Sequence, residues 1–221
     1  MSLPVLYSLQ HCPYAMRARM GLLLAKQAVL IRAIVLKDKP AELLVASPKG
    51  TVPVLIVKEI VNKALLIEES LEIMLWALAQ NDPNNLLYSE DPDALPAMLS
   101  LNHTSDTTFR DWLKKYKCAA RYHDEAEVEY RQHCETFVGD LEQRLTTHKY
   151  LMGDTLSFAD YAILPFIRQF AKVDRKWYLQ APYPKLHQWL NNHLQSPLFS
   201  KTMAKYPLWL ESREDCLFGA K

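Results

Sequence analysis

Residues 5–36 set the tightest limit on what this chain can fold into. Val5-Leu6-Tyr7-Ser8 is a short apolar strand, and Gln10-His11-Cys12-Pro13 ends it. From Tyr14 to about Ala28 the pattern turns helical, with Met16, Met20, Leu23 and Leu24 on one face. Val29 to Leu36 is apolar and rich in β-branched residues, a second strand. A strand, a crossover helix and a second strand imply parallel pairing with a right-handed crossover. The chain therefore opens as an α/β unit.

Lys37-Asp38-Lys39-Pro40 then leads into a short helix, Ala41 to Ala46, closed by Pro48 and Gly50. Val52 to Val57 reads as a strand with Pro53 near its start, where a missing N–H need not break the ladder. The polar segment Lys58 to Lys63 joins it to a strand at Ala64 to Ile67, close enough for a hairpin, and a helix follows from Ser70 to about Leu78. The order is βαβαββα. Two clusters of turn-formers, Asn81-Asp82-Pro83-Asn84-Asn85 and Ser89-Glu90-Asp91-Pro92-Asp93, mark a linker. Beyond it the pattern is helical: Ala94 to Tyr122, Glu125 to Thr147, Ser157 to about Val173, and Lys185 to about Leu194. No further strand is predicted, and no element is assigned to residues 211–221. The expected organisation is an α/β domain over 1–80, a linker over 81–93 and an all-helical domain over 94–221, with the reactive cleft between the domains.

Composition narrows the function classes. A formal net charge of +1 lacks the basic excess that binding a phosphate backbone needs, so nucleic acid is a poor partner. Gly21 to Leu36 is interrupted by Lys26, Gln27 and Arg32, and no run reaches the ~18 apolar residues of a membrane span. The start lacks a secretory signal pattern, so a soluble, cytoplasmic chain is expected. Cys12, Cys118, Cys134 and Cys216 are scattered, without a Cys-x-x-Cys pair. That spacing argues against a disulfide framework and against a metal site.

One thiol remains as the centre of the chemistry. Cys12 stands where a strand ends and a helix begins, with Pro13 at the first helical position, where proline is favoured. Unpaired helix N–H groups and the positive end of the helix dipole then face the sulfur and favour thiolate over thiol. The alternative, a buried structural cysteine, does not require this arrangement. Ala15 occupies the place of a second, resolving cysteine, so Cys12 must resolve against an external thiol.

The segment Cys12-Pro13-Tyr14-Ala15-Met16-Arg17-Ala18-Arg19 resembles the Cys-Pro-Phe-Ala-x-Arg-x-Arg signature of omega-class glutathione transferases and their bacterial relatives. Leu36-Lys37-Asp38-Lys39-Pro40, Thr51-Val52-Pro53-Val54-Leu55, the Glu69-Ser70 pair and Gly153-Asp154-Thr155-Leu156-Ser157-Phe158-Ala159-Asp160 follow in that family's order. The resemblance implies a thioredoxin-like first domain, a helical second domain and a homodimer. It implies glutathione as cosubstrate and a small electrophile or disulfide as the other partner. Cys12 would form the mixed disulfide. Val52, before a cis Pro53, would pair with the cysteinyl backbone of glutathione. Glu69 and Ser70 would hold its γ-glutamyl end, Lys39 would approach its glycyl carboxylate, and Tyr14 would line the pocket.

Each assignment has a plainer reading: Lys39 as an exposed turn lysine, Glu69 and Ser70 as a helix start, Pro53 as an ordinary trans proline. Arg17 and Arg19 are read as structural or solvated and left outside the site. Ser157 and Asp160 have capping-box spacing, a mark of fold rather than catalysis. Phe109, Trp112 and Tyr116 recur at helical spacing, a stripe that is more often core than pocket. The implied activity is glutathione-dependent thiol transfer or reduction. The alternatives are a non-enzymatic regulatory protein resembling stringent starvation protein A, or a relative of the chloride intracellular channels.

Overall fold

The structure, a computed structural model, describes residues 2–58 and 64–219. The chain forms two compact units, Met1–Asn84 with Pro197–Lys221, and Asn85–Ser196.

The first unit is built on a mixed sheet. Strand β1 (Val5–Ser8) pairs in parallel with β2 (Val29–Ala33) through the crossover helix α1 (Pro13–Leu24). Helix α2 (Ala41–Ala46) leads to β3 (Val54–Lys58), which is antiparallel to both β1 and β4 (Ala64–Ile67). The polar connection expected between β3 and β4 lies at 59–63, outside the described residues. Helix α3 (Ser70–Gln80) follows β4 and packs on α1. One face of the sheet gathers Val5, Tyr7, Val52 and Val54 with Ile34, Leu43 and Trp209 in a buried cluster.

Helix α1 is not amphipathic in the way its sequence implies. Ala15, Met16, Ala18, Met20, Gly21 and Leu22 are all buried, around the whole circumference of the helix. A helix enclosed on all sides leaves no solvated face for its polar residues.

The second unit is helical. Helix α4 (Ala94–Thr104) runs through a π-helical turn, Ser105–Phe109, into α5 (Arg110–Tyr122). The sequence predicts one continuous helix here. Around the turn, Thr104 and Thr107 hydroxyls donate to the carbonyls of Ser100 and His103, at 3.3 and 2.7 Å. Such back-bonds compete with the helical ladder and bend it. Helix α6 (Glu127–Thr147), α7 (Phe158–Ala171), α8 (Arg175–Gln180) and α9 (Pro184–Leu194) complete the unit. Ser157 and Asp160 form the capping box that starts α7. Asp160 also accepts from the Leu151 N–H at 3.0 Å and from the Trp189 indole at 2.9 Å.

The expected boundary of the helical domain is corrected at its C-terminal end. Helix α10 (Pro197–Thr202), α11 (Trp209–Ser212) and a fifth strand, β5 (Cys216–Phe218), belong to the first unit. β5 pairs antiparallel with β2, giving the order β4-β3-β1-β2-β5. It covers what would otherwise be an unpaired edge. The Arg32 guanidinium secures this return: it pairs with Asp215 at 2.9 Å and lies 3.8 Å over the Trp209 ring. Among the described residues, no helix is long and apolar enough to cross a membrane.

Candidate active site

The sheet register gathers the site. Ser8 at the end of β1 lies beside Ala33 at the end of β2, Tyr7 faces Val54 at the start of β3, and Leu55 faces Ile67 at the end of β4. One end of the sheet therefore carries the turns at Cys12, Lys39, Val52 and Glu69. Helices α1 and α3 both leave from that end, so their N-termini point the same way.

Cys12 is the N-cap residue of α1, in extended backbone, with Pro13 in the first turn. Its sulfur is half-buried and lies 3.9 Å from the Val52 carbonyl oxygen. Val52 is buried, and the peptide linking it to Pro53 is cis. Both residues precede the ladder, which begins at Val54. Tyr14 is half-buried on the first turn of α1, with the Arg17 guanidinium 6.0 Å from its ring centroid.

Lys39 is half-buried beside Gly50. That glycine has φ +61°, and a Cβ there would come within 3.4 Å of the Lys39 ammonium nitrogen. Glycine at this turn permits the left-handed backbone conformation, and the Lys39 ammonium packs close against it. Glu69 is the exposed N-cap residue of α3 and pairs with Lys49. Lys49 has no signal in the sequence, because a lone lysine between Pro48 and Gly50 carries no pattern. Ser70 is buried, and its hydroxyl accepts from an Arg17 Nη1–H at 3.4 Å.

Of the two readings the sequence left for Arg17 and Arg19, structural or solvated, the structure selects the first. They are 1% and 2% exposed, so neither is solvated. Arg17 reaches from α1 to the first residue of α3. Arg19 reaches back under the turn before Cys12, donating to the Gln10 carbonyl at 2.5 Å and to the Ser8 hydroxyl at 3.2 Å. Burial pushes the Arg19 guanidinium down to about 10, against opposing interactions with Cys12 and Tyr206. The signal that could have found them is the run of small and apolar residues around α1. On a fully enclosed helix, a charged side chain must be paired with something.

The other cysteines and the aromatic stripe lie elsewhere. Cys134 is buried in the second unit, and burial pushes its thiol up to about 12. Cys118 is exposed, and Cys216 lies on β5. Phe109 and Tyr116 are core residues packed on Phe170, whereas Trp112 stacks on His133 at 3.8 Å. No group of acidic, histidine and cysteine side chains among the described residues could hold a metal.

Comparison with known proteins gives a consistent picture. Residues 6–85 match the family model "Glutathione S-transferase, N-terminal domain", and residues 124–192 match "Glutathione S-transferase, C-terminal domain". The chain is 28% identical to mouse glutathione S-transferase omega-1, covering 96% of this chain and 89% of that protein. Among solved structures, a Pseudomonas fluorescens glutathione transferase family member with two glutathione bound superposes with a TM-score of 0.79. It shares 16% identity and covers 91% of this chain and 92% of that one. Glutathione transferase Omega 2C from Trametes versicolor gives a TM-score of 0.75 at 18% identity, covering 93% and 94%.

Proposed function

This chain belongs to the glutathione S-transferase superfamily, and we propose that within it the chain is a glutathione-dependent thiol transferase of omega-like type, with Cys12 as nucleophile. The observation that carries this reading is Cys12 at the head of α1 with Ala15 one turn on. A tyrosine or serine at that place would serve conjugation by stabilising glutathione's own thiolate. A cysteine forms a bond with sulfur instead.

The reaction runs in two exchanges. The Cys12 thiolate attacks the glutathionyl sulfur of a mixed disulfide, and the sulfur–sulfur bond to the other partner breaks. That partner leaves as a thiolate and takes a proton from water. A second glutathione thiolate then attacks the glutathionyl sulfur on Cys12, releasing glutathione disulfide and restoring the Cys12 thiolate. With Ala15 in place of a resolving cysteine, the second step falls to the cosubstrate.

The residues at this end of the sheet suit glutathione. Val52, ahead of the ladder, offers main-chain groups to an added extended peptide. Pro53 holds that segment in place. Glu69 supplies the counter-charge for the γ-glutamyl ammonium, and Ser70 with the N-terminus of α3 receives its carboxylate. In this reading Lys39 meets the glycyl carboxylate and Tyr14 lines the pocket. The same reading expects a cytoplasmic homodimer, which sedimentation would check.

The test is covalent. Incubation with glutathione disulfide should add a single glutathione, removable by dithiothreitol and absent in Cys12→Ser, and reduction of hydroxyethyl disulfide should vanish in that variant. Full activity in Cys12→Ser would overturn the mechanism. Failure of the wild-type protein to bind glutathione or to reduce a mixed disulfide would instead favour a non-enzymatic relative.

A further inference from the structure

Helix α2 separates two residues assigned to glutathione: Lys39 stands just before it, and Val52 follows it. The helix has six residues, and of these only Leu43 is buried. A helix this short has little stability of its own. A single apolar anchor also leaves it free to turn about that anchor, so its orientation has to come from other contacts.

Those contacts come from the C-terminal segment. The Glu42 Oε1 accepts from the indole N–H of Trp209 and from an Arg213 Nη1–H at 2.7 Å. The Trp209 bond leads the causes that hold the Glu42 carboxyl below its ordinary value. Two donors from one short segment, α11 and its C-cap residue, thus converge on one oxygen of α2. At the other end of α2, the Ser47 hydroxyl donates to Glu68, the neighbour of Glu69.

Trp209 is itself fixed from the sheet side. It is 9% exposed and shares a buried cluster with Leu43 of α2 and with Val52 and Val54. Arg32 of β2, which lies over its ring, also donates to the Tyr7 hydroxyl at 2.9 Å. Leu208, just before it, bridges to Ala33 at the end of β2. Core packing alone accounts for the buried ring. It does not account for the indole N–H and the Arg213 guanidinium meeting on a partly exposed carboxylate of α2.

We infer that Trp209 and Arg213 are positioning residues for the glutathione site: they hold α2 through Glu42 while the Trp209 ring backs Val52, so that Lys39 and the Val52 main chain stand ready before the tripeptide arrives. The inference rests on the assignment of Lys39 and Val52 to glutathione. A preformed site binds more tightly because less ordering remains to be done on binding. Loosening the clamp therefore weakens glutathione without touching the chemistry at Cys12.

The test pairs kinetics with hydrogen exchange on the full chain. Glu42→Ala, and Trp209→Phe, which keeps an aromatic ring in the cluster, should each raise the KM for glutathione in hydroxyethyl disulfide reduction roughly fivefold. The rate at saturating glutathione and the alkylation rate of Cys12 should stay at wild-type values. Glu42→Gln retains an acceptor for the indole and should recover most of the affinity. Glu42→Ala combined with Trp209→Phe should be no worse than Glu42→Ala alone, because both remove one contact. Amide exchange over residues 39–52 should quicken in both single variants, with β1 and α1 unaffected. Unchanged KM in both variants, with wild type active, would overturn the inference and leave the thiol chemistry standing. So would a fall in the saturated rate at unchanged KM, or exchange that quickens evenly through the first unit, which would make Trp209 a core residue only. Wild-type protein that neither binds glutathione nor reduces the disulfide would overturn the underlying assignment, and this inference with it.

Discussion

The Cys12 sulfur and the Val52 carbonyl oxygen, 40 residues apart in sequence, lie 3.9 Å apart in the fold. The turn after β1 thus meets the turn before β3, and the nucleophile faces the main chain that would hold its cosubstrate. A thiol donates only weakly to a carbonyl. The contact therefore positions the sulfur without tying it down.

Position at a helix N-terminus, together with accessibility, orders the cysteines. With iodoacetamide at neutral pH, Cys12 should be alkylated first, exposed Cys118 more slowly, and buried Cys134 not at all in the folded protein. Peptide mass spectrometry over time reads the order. Labelling of Cys134 at a rate comparable to Cys12 would contradict its burial in the core of the second unit.

Glu69 is exposed and already paired with Lys49, so its contribution to glutathione binding is smaller than that of a buried carboxylate. Glu69→Gln should weaken glutathione by about 1 kcal/mol, roughly fivefold in Kd, with the melting temperature unchanged. Removing the competing cation in Lys49→Ala should leave affinity equal or better. Unchanged binding in Glu69→Gln would place the γ-glutamyl site elsewhere.

His193 makes a pH prediction. Burial holds its imidazole below the ordinary value of 6.5, against an opposing attraction from Asp160. Below pH 6.5 the unfolded chain takes up a proton that the folded chain resists, so stability should fall as pH drops through that value. The slope from this group is at most ~1.4 kcal/mol per pH unit. Urea titrations at pH 7.5 and 5.5 should show a smaller loss for His193→Phe than for wild type. Identical losses would exclude His193 as the source.

Gly21 sets how closely α1 and α3 approach. A Cβ there would lie 2.6 Å from the Met74 Cγ and 2.8 Å from its Cα, a backbone atom that cannot simply rotate away. Gly21→Ala should therefore cost about 1–3 kcal/mol despite alanine's better helix propensity. Because both helices start at the site, glutathione binding should weaken alongside. A stabilised Gly21→Ala protein would mean the helices can part without cost.

Local pattern is enough for much of this protein. The strand at Val5–Ser8, the helix at Ala41–Ala46, the strand at Ala64–Ile67 and the Ser157–Asp160 cap all stand where spacing and turn chemistry place them. These features depend on neighbours within a few residues, and that information is written in order along the chain. What only the tertiary structure decided depends on partners far apart in sequence. β5 is three residues long, too short for an alternating pattern, and forms because β2 offers an edge and Arg32 meets Asp215. Sequence alone leaves Arg17 and Arg19 either structural or solvated until α1 is enclosed by its neighbours, α3 and α10 among them. Removing them from water then makes the pairings to Ser70, Ser8 and Gln10 obligatory. The same holds for Arg168, Lys172 and Arg175: their spacing is legible in sequence, but that they line one cavity follows only from how α7, α8 and α9 pack.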